Sequence, residues 1–319
     1  LISTGVIRFL PKAITLSNDP IKSSSGYLPA DAVVAFQGAP YAFSEIAIKK
    51  YFDSSVRTLG CRSFEELFAA VDNGEALCGM APIENSLTGS IHRNYDLLLE
   101  SQLKIVGEAI MPIEQCLIAN PGVRLEDIRL IYSHPQALEQ CRQFLVSLPG
   151  VDAVASYDTA GSVIMIRDRK LRDAAAIAGK SAALDLGMQI LRAEVQDLSP
   201  NYTRFWIIAK QENHWETPTR TSIVFSMKNI PGALFKALSV FALRDIDLIK
   251  IESRPLRNRP WDYLFYLTFA GTLQDEKCRN AIRHLQEITF FVTLLGSYAS
   301  RHLEFDESDK LNCATPSIF

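Results

Sequence analysis

The stretch Asn201-Tyr202-Thr203-Arg204-Phe205 sets a hydroxyl beside a permanent positive charge, at the entrance of an apolar, strand-like run that continues to Ala209. Thr203 can donate or accept a hydrogen bond and Arg204 can only donate, a pairing suited to a donor working beside a bound anion. Taken alone, the five residues read more simply as a solvated strand edge; the company they keep changes that. Glu84, Asn85, Ser86, Thr88 and Ser90 lie together in a predicted loop, 83–91, between a strand over 77–82 and a helix over 95–100. A carboxylate, an amide and three hydroxyls exceed what helix capping requires, so hydrogen bonding to a polar ligand is the expected use. Ser133-His134-Pro135-Gln136 and Tyr157-Asp158-Thr159-Ala160-Gly161 repeat the arrangement, each following a strand and opening a helix. His134 is a candidate base, although a histidine at a helix start usually hydrogen-bonds its own loop. Ser44 and Glu45 open a helix over 42–51, where free N–H groups can meet an anion, or where Ser44 simply caps.

The elements that position these residues follow from periodicity and turn chemistry. A strand is expected over 33–36, then the turn Gln37-Gly38-Ala39-Pro40. Ser63 with Glu66 forms a capping box for a helix over 64–71 that ends at Asn73-Gly74. Strands are expected over 104–109, 115–119, 130–132, 151–155 and 174–178, with a break at Met111-Pro112 and a short helix after Asn120-Pro121-Gly122. Helices are expected over 137–148 and 180–186. Strand, polar loop and helix in repetition is the signature of an open α/β sheet that binds ligands beyond its strand ends, and the spacing fits two lobes with a cleft. Two phosphate-binding motifs nearly form and fail. Met80 follows Gly79 where a lysine is needed, and Ala174 stands where Gly179-Lys180-Ser181 needs an upstream glycine, which argues against a nucleotide enzyme.

After a polar, aperiodic linker over 211–220, the order strand 221–227, helix 233–243, strands 248–253 and 263–269, helix 277–286 and strand 290–295 is the βαββαβ of a ferredoxin-like module. Residues 301–319 read as a polar tail. Residues 1–30, with five serines and a single acidic residue, fit a transit-sequence remnant or a disordered extension. The chain has 319 residues, 48% of them hydrophobic and 22% charged, the balance of a globular protein of about two domains. A formal net charge of −3 gives no reason to expect nucleic acid or an acidic membrane as partner, and the chain lacks an apolar run long enough to span one. The six cysteines are scattered without a C-x-x-C pair and read as reduced packing thiols, with no zinc site.

In order and spacing, Pro82-Ile83-Glu84-Asn85-Ser86, Ser133-His134-Pro135-Gln136-Ala137, Asp158-Thr159-Ala160-Gly161 and Asn201-Tyr202-Thr203-Arg204-Phe205 resemble the prephenate and arogenate dehydratases. The stretch Ser90-Ile91-His92-Arg93-Asn94-Tyr95-Asp96 is similar to the plant and related bacterial branch. The last module resembles the ACT regulatory domain of that family, with Gly232-Ala233-Leu234-Phe235 and Glu252-Ser253-Arg254-Pro255 similar to its two phenylalanine-binding motifs. The resemblance covers about residues 32–300. It departs at Tyr41-Ala42-Phe43-Ser44, where the family usually has Gly-Ala-Tyr-Ser, so a tyrosine replaces a glycine in a loop where backbone approaches ligand.

The resemblance implies a two-lobed, periplasmic-binding-protein-like catalytic domain over 31–210, with lobes about 31–110 plus 200–210 and 111–199, followed by the ACT domain over 221–300. It implies loss of carbon dioxide and water from prephenate, giving phenylpyruvate, or from arogenate, giving phenylalanine, with no metal or cofactor. Thr203 is then the donor to the leaving hydroxyl, with Glu84, Asn85 and Gln136 as further catalytic residues. Ser44, Ser86, Ser133, His134, Thr159, Arg204 and Phe205 bind substrate. Gly232, Ala233, Leu234, Phe235, Glu252, Ser253 and Arg254 bind phenylalanine between paired modules of a homodimer or homotetramer, located in the plastid stroma of a eukaryote or otherwise in the cytoplasm. A cleft between α/β lobes also describes a non-catalytic amino-acid receptor or a regulatory subunit, and turnover of either substrate is what discriminates them.

Overall fold

The computed structural model describes residues 28–29, 31–211, 216–256 and 261–304. The readings of residues 1–27, of the linker centre at 212–215 and of Cys313 lie outside these. In chain order come β1 (Val33–Gln37), α1 (Phe43–Tyr51), β2 (Arg57–Cys61), α2 (Phe64–Asn73), β3 (Cys78–Asn85), β4 (Gly89–Ser90), α3 (His92–Glu100) and β5 (Lys104–Pro112). Next are β6 (Gln115–Ala119), a 3-10 turn over Leu125–Asp127, β7 (Leu130–Ser133), α4 (Pro135–Gln140), α5 (Arg142–Val146) and β8 (Asp152–Ala155). Then come α6 (Thr159–Asp168), β9 (Ala174–Gly179), α7 (Lys180–Asp185), β10 (Gln189–Arg192) and β11 (Tyr202–Ala209). The final section is β12 (Arg220–Ser226), α8 (Ala233–Ala242), β13 (Leu248–Pro255), β14 (Tyr263–Ala270), α9 (Glu276–Ile288), β15 (Phe291–Tyr298) and β16 (Ser300–His302).

Among the described residues three sheets result. One runs β16-β5-β11-β3-β1-β2 with β4 paired to β3, the second β10-β6-β9-β7-β8, and the third β13-β14-β12-β15. The first two form the lobes of a periplasmic-binding-protein-like α/β domain, and the third is the expected ferredoxin-like module. The chain leaves the first sheet after β5 and returns to it as β11, so residues distant in sequence become strand neighbours. Lys104–Gly107 group with the compact unit that holds 211–300, apart from the rest of β5.

Local chemistry explains the elements. The Ser63 hydroxyl accepts the Glu66 N–H at 3.2 Å, Glu66 accepts the Arg62 N–H at 2.8 Å, and α2 ends on left-handed Gly74. The reciprocal bond therefore goes to Arg62 rather than to Ser63 as a capping box would have it. A Cβ on Gly79 would lie 2.9 Å from Leu67 Cδ2, so the glycine of the failed phosphate motif is there to let α2 settle on β3. In the second lobe the alanine-rich β9 is buried along its whole length. One of its faces packs against Ala160, Val163 and Ile166, the other against Ala137 and Cys141.

Several expectations are corrected. The strand expected over 77–82 runs on to Asn85 and turns into β4, so Glu84 and Asn85 are strand residues and not loop residues. The helix expected over 137–148 is two helices meeting at Cys141. There Asp197 enters from outside, donating its N–H to the Gln140 carbonyl at 2.7 Å and accepting the Gln143 N–H at 3.0 Å. The break expected at Met111-Pro112 comes at Ile113-Glu114, since β5 includes Met111 and Pro112 and β6 begins at Gln115. The described part of the tail, 301–304, is not featureless, because β16 joins the first sheet and the buried Leu303 donates its N–H to the Ile110 carbonyl at 2.8 Å; the reading of 305–319 lies outside the described residues.

Candidate active site

Strands β3 and β11 are antiparallel, with Thr203 opposite Asn85 and Arg204 opposite Glu84. The register then shifts so that Phe205 faces Pro82, leaving Ile83 as the extra residue of a bulge. The Ile83 carbonyl is taken by the Ile91 N–H at 2.8 Å, and the buried Asn94 amide donates to the Pro82 carbonyl at 2.6 Å, so the irregular strand end is fully held. Directly opposed residues share a face, which puts the Thr203 and Asn85 side chains together.

The Asn85 Oδ1 accepts the backbone N–H groups of Leu87 at 3.1 Å and Thr88 at 3.2 Å. Only an oxygen can do this, so the amide orientation is fixed and its NH₂ must face the other way. There the two hydrogens are shared among Asn201 Oδ1 at 2.6 Å, the Tyr202 carbonyl at 3.1 Å and Thr203 Oγ1 at 3.1 Å. Thr203 thus accepts from Asn85, and its own proton is left to point elsewhere. Asn85 and Thr203 are 6% and 9% exposed, buried enough for such hydrogen bonds to count heavily. Ser86 clamps the end of the strand pair, donating its N–H to the Tyr202 carbonyl at 2.8 Å and accepting the Tyr202 N–H on its hydroxyl at 2.9 Å.

Arg204 departs from its sequence-based role. Successive strand residues face opposite sides, and Arg204 stands 3.7 Å from the Glu84 carboxylate on the face away from Thr203. Adjacency in sequence therefore does not put its charge beside the Thr203 hydroxyl, nor does it place Glu84 there. Phe205 is 1% exposed and packs in the core. Ser44 is buried within the first turn of α1 and is not its cap, which is Ala42 with no side-chain bond.

The second lobe meets this cluster through α4. Gln140 Nε2 lies 3.4 Å from Asn85 Oδ1, and Gln140 Oε1 lies 3.4 Å from Asn201 Nδ2. Gln136, one turn earlier and exposed, donates to the Thr88 hydroxyl at 2.5 Å. Sequence reasoning singled out Gln136 and missed Gln140; the signal was the four-residue spacing that puts both on one helix face. His134 caps α4, its Nδ1 accepting the Gln136 N–H at 3.2 Å, which is the loop role and not that of a base. The buried Ser133 hydroxyl donates to the Ile177 carbonyl of β9 at 2.6 Å. Thr159 is the half-buried first residue of α6, whose cap Asp158 also accepts the Ala39 N–H of the first lobe at 3.1 Å.

The family model "Prephenate dehydratase" matches residues 34–213 and the "ACT domain" model residues 221–284. This chain belongs to the prephenate dehydratase family. It is 46% identical over 276 residues, 83% of this chain and 72% of the other, to the arogenate dehydratase/prephenate dehydratase 2 of Arabidopsis thaliana, named as chloroplastic. Among solved structures it is similar to the prephenate dehydratase of Arthrobacter aurescens in complex with L-Phe, with 30% identity, a TM-score of 0.77 and coverage of 84% of this chain and 90% of that one. It is also similar to GqqA, described as a novel type of quorum quenching acylase, with 34% identity, a TM-score of 0.77 and coverage of 84% and 98%.

The ACT module brings its two predicted motifs to one end of its sheet. Strands β12 and β13 are both antiparallel to β14, so they run in the same direction, and Ser226 and Arg254 stand level at Leu264. Gly232, left-handed at φ 78°, precedes Ala233 and α8, with Leu234 and Phe235 exposed at the helix start. Glu252, Ser253 and Arg254 occupy the end of edge strand β13, where the Lys250 ammonium is 3.5 Å from Glu252. The five described cysteines are buried free thiols. Burial pushes Cys141 up to about 12 and raises Cys78 further, which keeps both neutral and suits them to packing. Among the described residues no helix is long and apolar enough to cross a membrane.

Proposed function

We propose that this prephenate dehydratase family member removes carbon dioxide and water from arogenate, prephenate or both, with Thr203 as donor to the leaving hydroxyl. The observation that carries the reading is the fixed Asn85 amide: by donating to Thr203 Oγ1 it polarises that hydroxyl and leaves its proton for the substrate. As the ring carboxylate departs, its C–C bonding pair enters the ring and completes aromaticity. The C–O bond breaks, and the departing hydroxide takes the proton or strong hydrogen bond offered by Thr203, leaving as water. Gln140 and Gln136 complete the cleft from the second lobe. Acyl transfer fits less well, because the amide that meets Thr203 is itself a donor and cannot relieve a nucleophilic hydroxyl of its proton.

Incubation with prephenate and with arogenate tests the reading. Aromatic product from at least one is expected, and the two kcat/KM values settle preference; clean saturable binding without product would make the chain a receptor.

The domain assignment that supports this reading is catalytic residues 31–210, linker 211–220 and regulatory residues 221–300. Control is by phenylalanine bound across paired ACT modules of a homodimer or homotetramer, and the chloroplastic relative supports a plastid location. The N–H groups of the first turn of α8 beyond Ala233, whose own N–H is held by the Ile230 carbonyl at 3.1 Å, take the amino-acid carboxylate, and Glu252 and Ser253 supply acceptors for the ammonium. Titration of phenylalanine against the wild type and Gly232→Val checks this. A Cβ at φ 78° is strained, so the variant should lose binding and with it a coupling of about 5- to 150-fold on substrate affinity.

A further inference from the structure

Tyr41 stands in the loop between β1 and α1 at φ 71°, a left-handed conformation that costs any residue with a Cβ and that glycine would adopt freely. Its backbone is pinned there. The Tyr41 N–H donates to Glu45 Oε2 at 2.5 Å, and the buried Glu45 is held in turn by the Thr58 hydroxyl at 2.8 Å and the Lys49 ammonium at 3.4 Å. The ring does not stay with its own lobe. It packs against the apolar cluster of the second lobe that contains Cys116, Ile118, Ala178 and Met188, while Lys49 covers it from the first, 5.9 Å from the ring centroid. Flanking residues cross in the same direction: the Ala39 N–H reaches Asp158, and a Cβ on Gly179 would come within 2.9 Å of the Phe43 ring.

We infer that Tyr41 is an interlobe latch, a positioning residue whose ring bridges the cleft and holds the lobes together before substrate arrives. A strained backbone that glycine would relieve is retained because the side chain it carries binds the opposite lobe. The bridge presets the approach of Gln140 to Asn85 and Asn201, so substrate need not supply the whole free energy of closure.

Spin labels on exposed Ser54 and Val146, in the first and second lobes, read the cleft directly once Cys313 is replaced by serine, the other cysteines being buried. Without substrate, the wild type and Tyr41→Phe should share one short-distance population. Tyr41→Gly, which fits φ 71° without strain and so folds, should add a longer one. The same distance distribution in Tyr41→Gly as in the wild type overturns the inference. A second arm rests on the reaction proposed above: Tyr41→Gly should raise KM by about 5-fold or more with kcat undiminished, since an open population taxes apparent affinity and leaves the chemistry intact. A fall in kcat at constant KM would instead make Tyr41 part of the reacting site. Failure of turnover in every variant would strike at the reaction, and the label distances would still decide the latch.

Discussion

The two lobes present their polar residues in different ways. The first carries Asn85 and Thr203 on neighbouring strands, opposite one another across an antiparallel register and cross-bonded, so their relative position is set by the sheet. The second offers His134, Gln136 and Thr159 at the starts of helices, with Ser133 just before them at the end of β7; Ser133 is committed to β9, His134 to its own helix and Gln136 to Thr88. Strand-borne groups are fixed without help from the other lobe; helix-borne ones reach the site only across the cleft. On the proposed reading, the lobe that holds Thr203 is therefore complete before closure, and what closure adds is Gln140, Gln136 and Asp158. Closure has no part in bringing 84–85 to Thr203, because these segments are already sheet neighbours.

The sharpest way to break this comparison is Thr203→Ala. Loss of the donor should lower kcat by at least ~10²-fold, the scale of general-acid contributions. Folding should hardly change, since the Asn85 amide keeps Asn201 and the Tyr202 carbonyl as acceptors. Steady-state kinetics with thermal unfolding read both; near-normal kcat would show that the first lobe does not carry the reacting group. Asn85→Asp comes next. A carboxylate cannot donate, so it would turn the Thr203 proton toward itself and away from substrate, with an expected loss of about 10²-fold. Because both changes strike one hydrogen-bonded unit, the double variant should be little worse than Thr203→Ala.

The helix-borne side predicts smaller effects of graded size. Gln140→Ala removes contacts to both Asn85 and Asn201 and should reduce kcat/KM by roughly tenfold, about 1.4 kcal/mol. Gln136→Ala removes a bond to exposed Thr88 and should cost only a few-fold, within about 1 kcal/mol. Paired kcat/KM measurements check the order. A reversal would mean that the cleft contact through Thr88 governs positioning.

Much of the fold was legible because its signals are local. Buried stripes on α2 and α9, the cap at Ser63 and the alanine run of β9 each state their element in a few residues. What escaped was set by distant partners. Arg57–Cys61 is a strand because β1 offers it an edge, and β3 extends to Asn85 because β11 returns from the far side of the second lobe to pair with it. The site was legible in the same uneven way. Thr203 and Asn85 could be named from their motifs, but the face on which each points depends on the bulge at Ile83, and that turned Arg204 toward Glu84. Gln140 became visible only when α4 was seen to end beside Asn201.

The smallest effect on chemistry is expected at Ser133, where the comparison predicts a structural role. The residue lies at the end of β7, fully buried, and its hydroxyl proton goes to the Ile177 carbonyl of the central strand β9. Removal by Ser133→Ala leaves that carbonyl without this donor in a dry interior, which should cost about 1–3 kcal/mol of stability. Because the proton is already spent within the lobe, kcat should fall no more than a few-fold, provided assays are run well below the unfolding transition. Ser133→Thr, which keeps a donor at the cost of one methyl group, should recover part of the lost stability. Urea unfolding of the three proteins beside their kcat values checks this: a large loss of kcat with unchanged stability would put Ser133 among the substrate-holding groups after all, and the second lobe would then share the chemistry with the first.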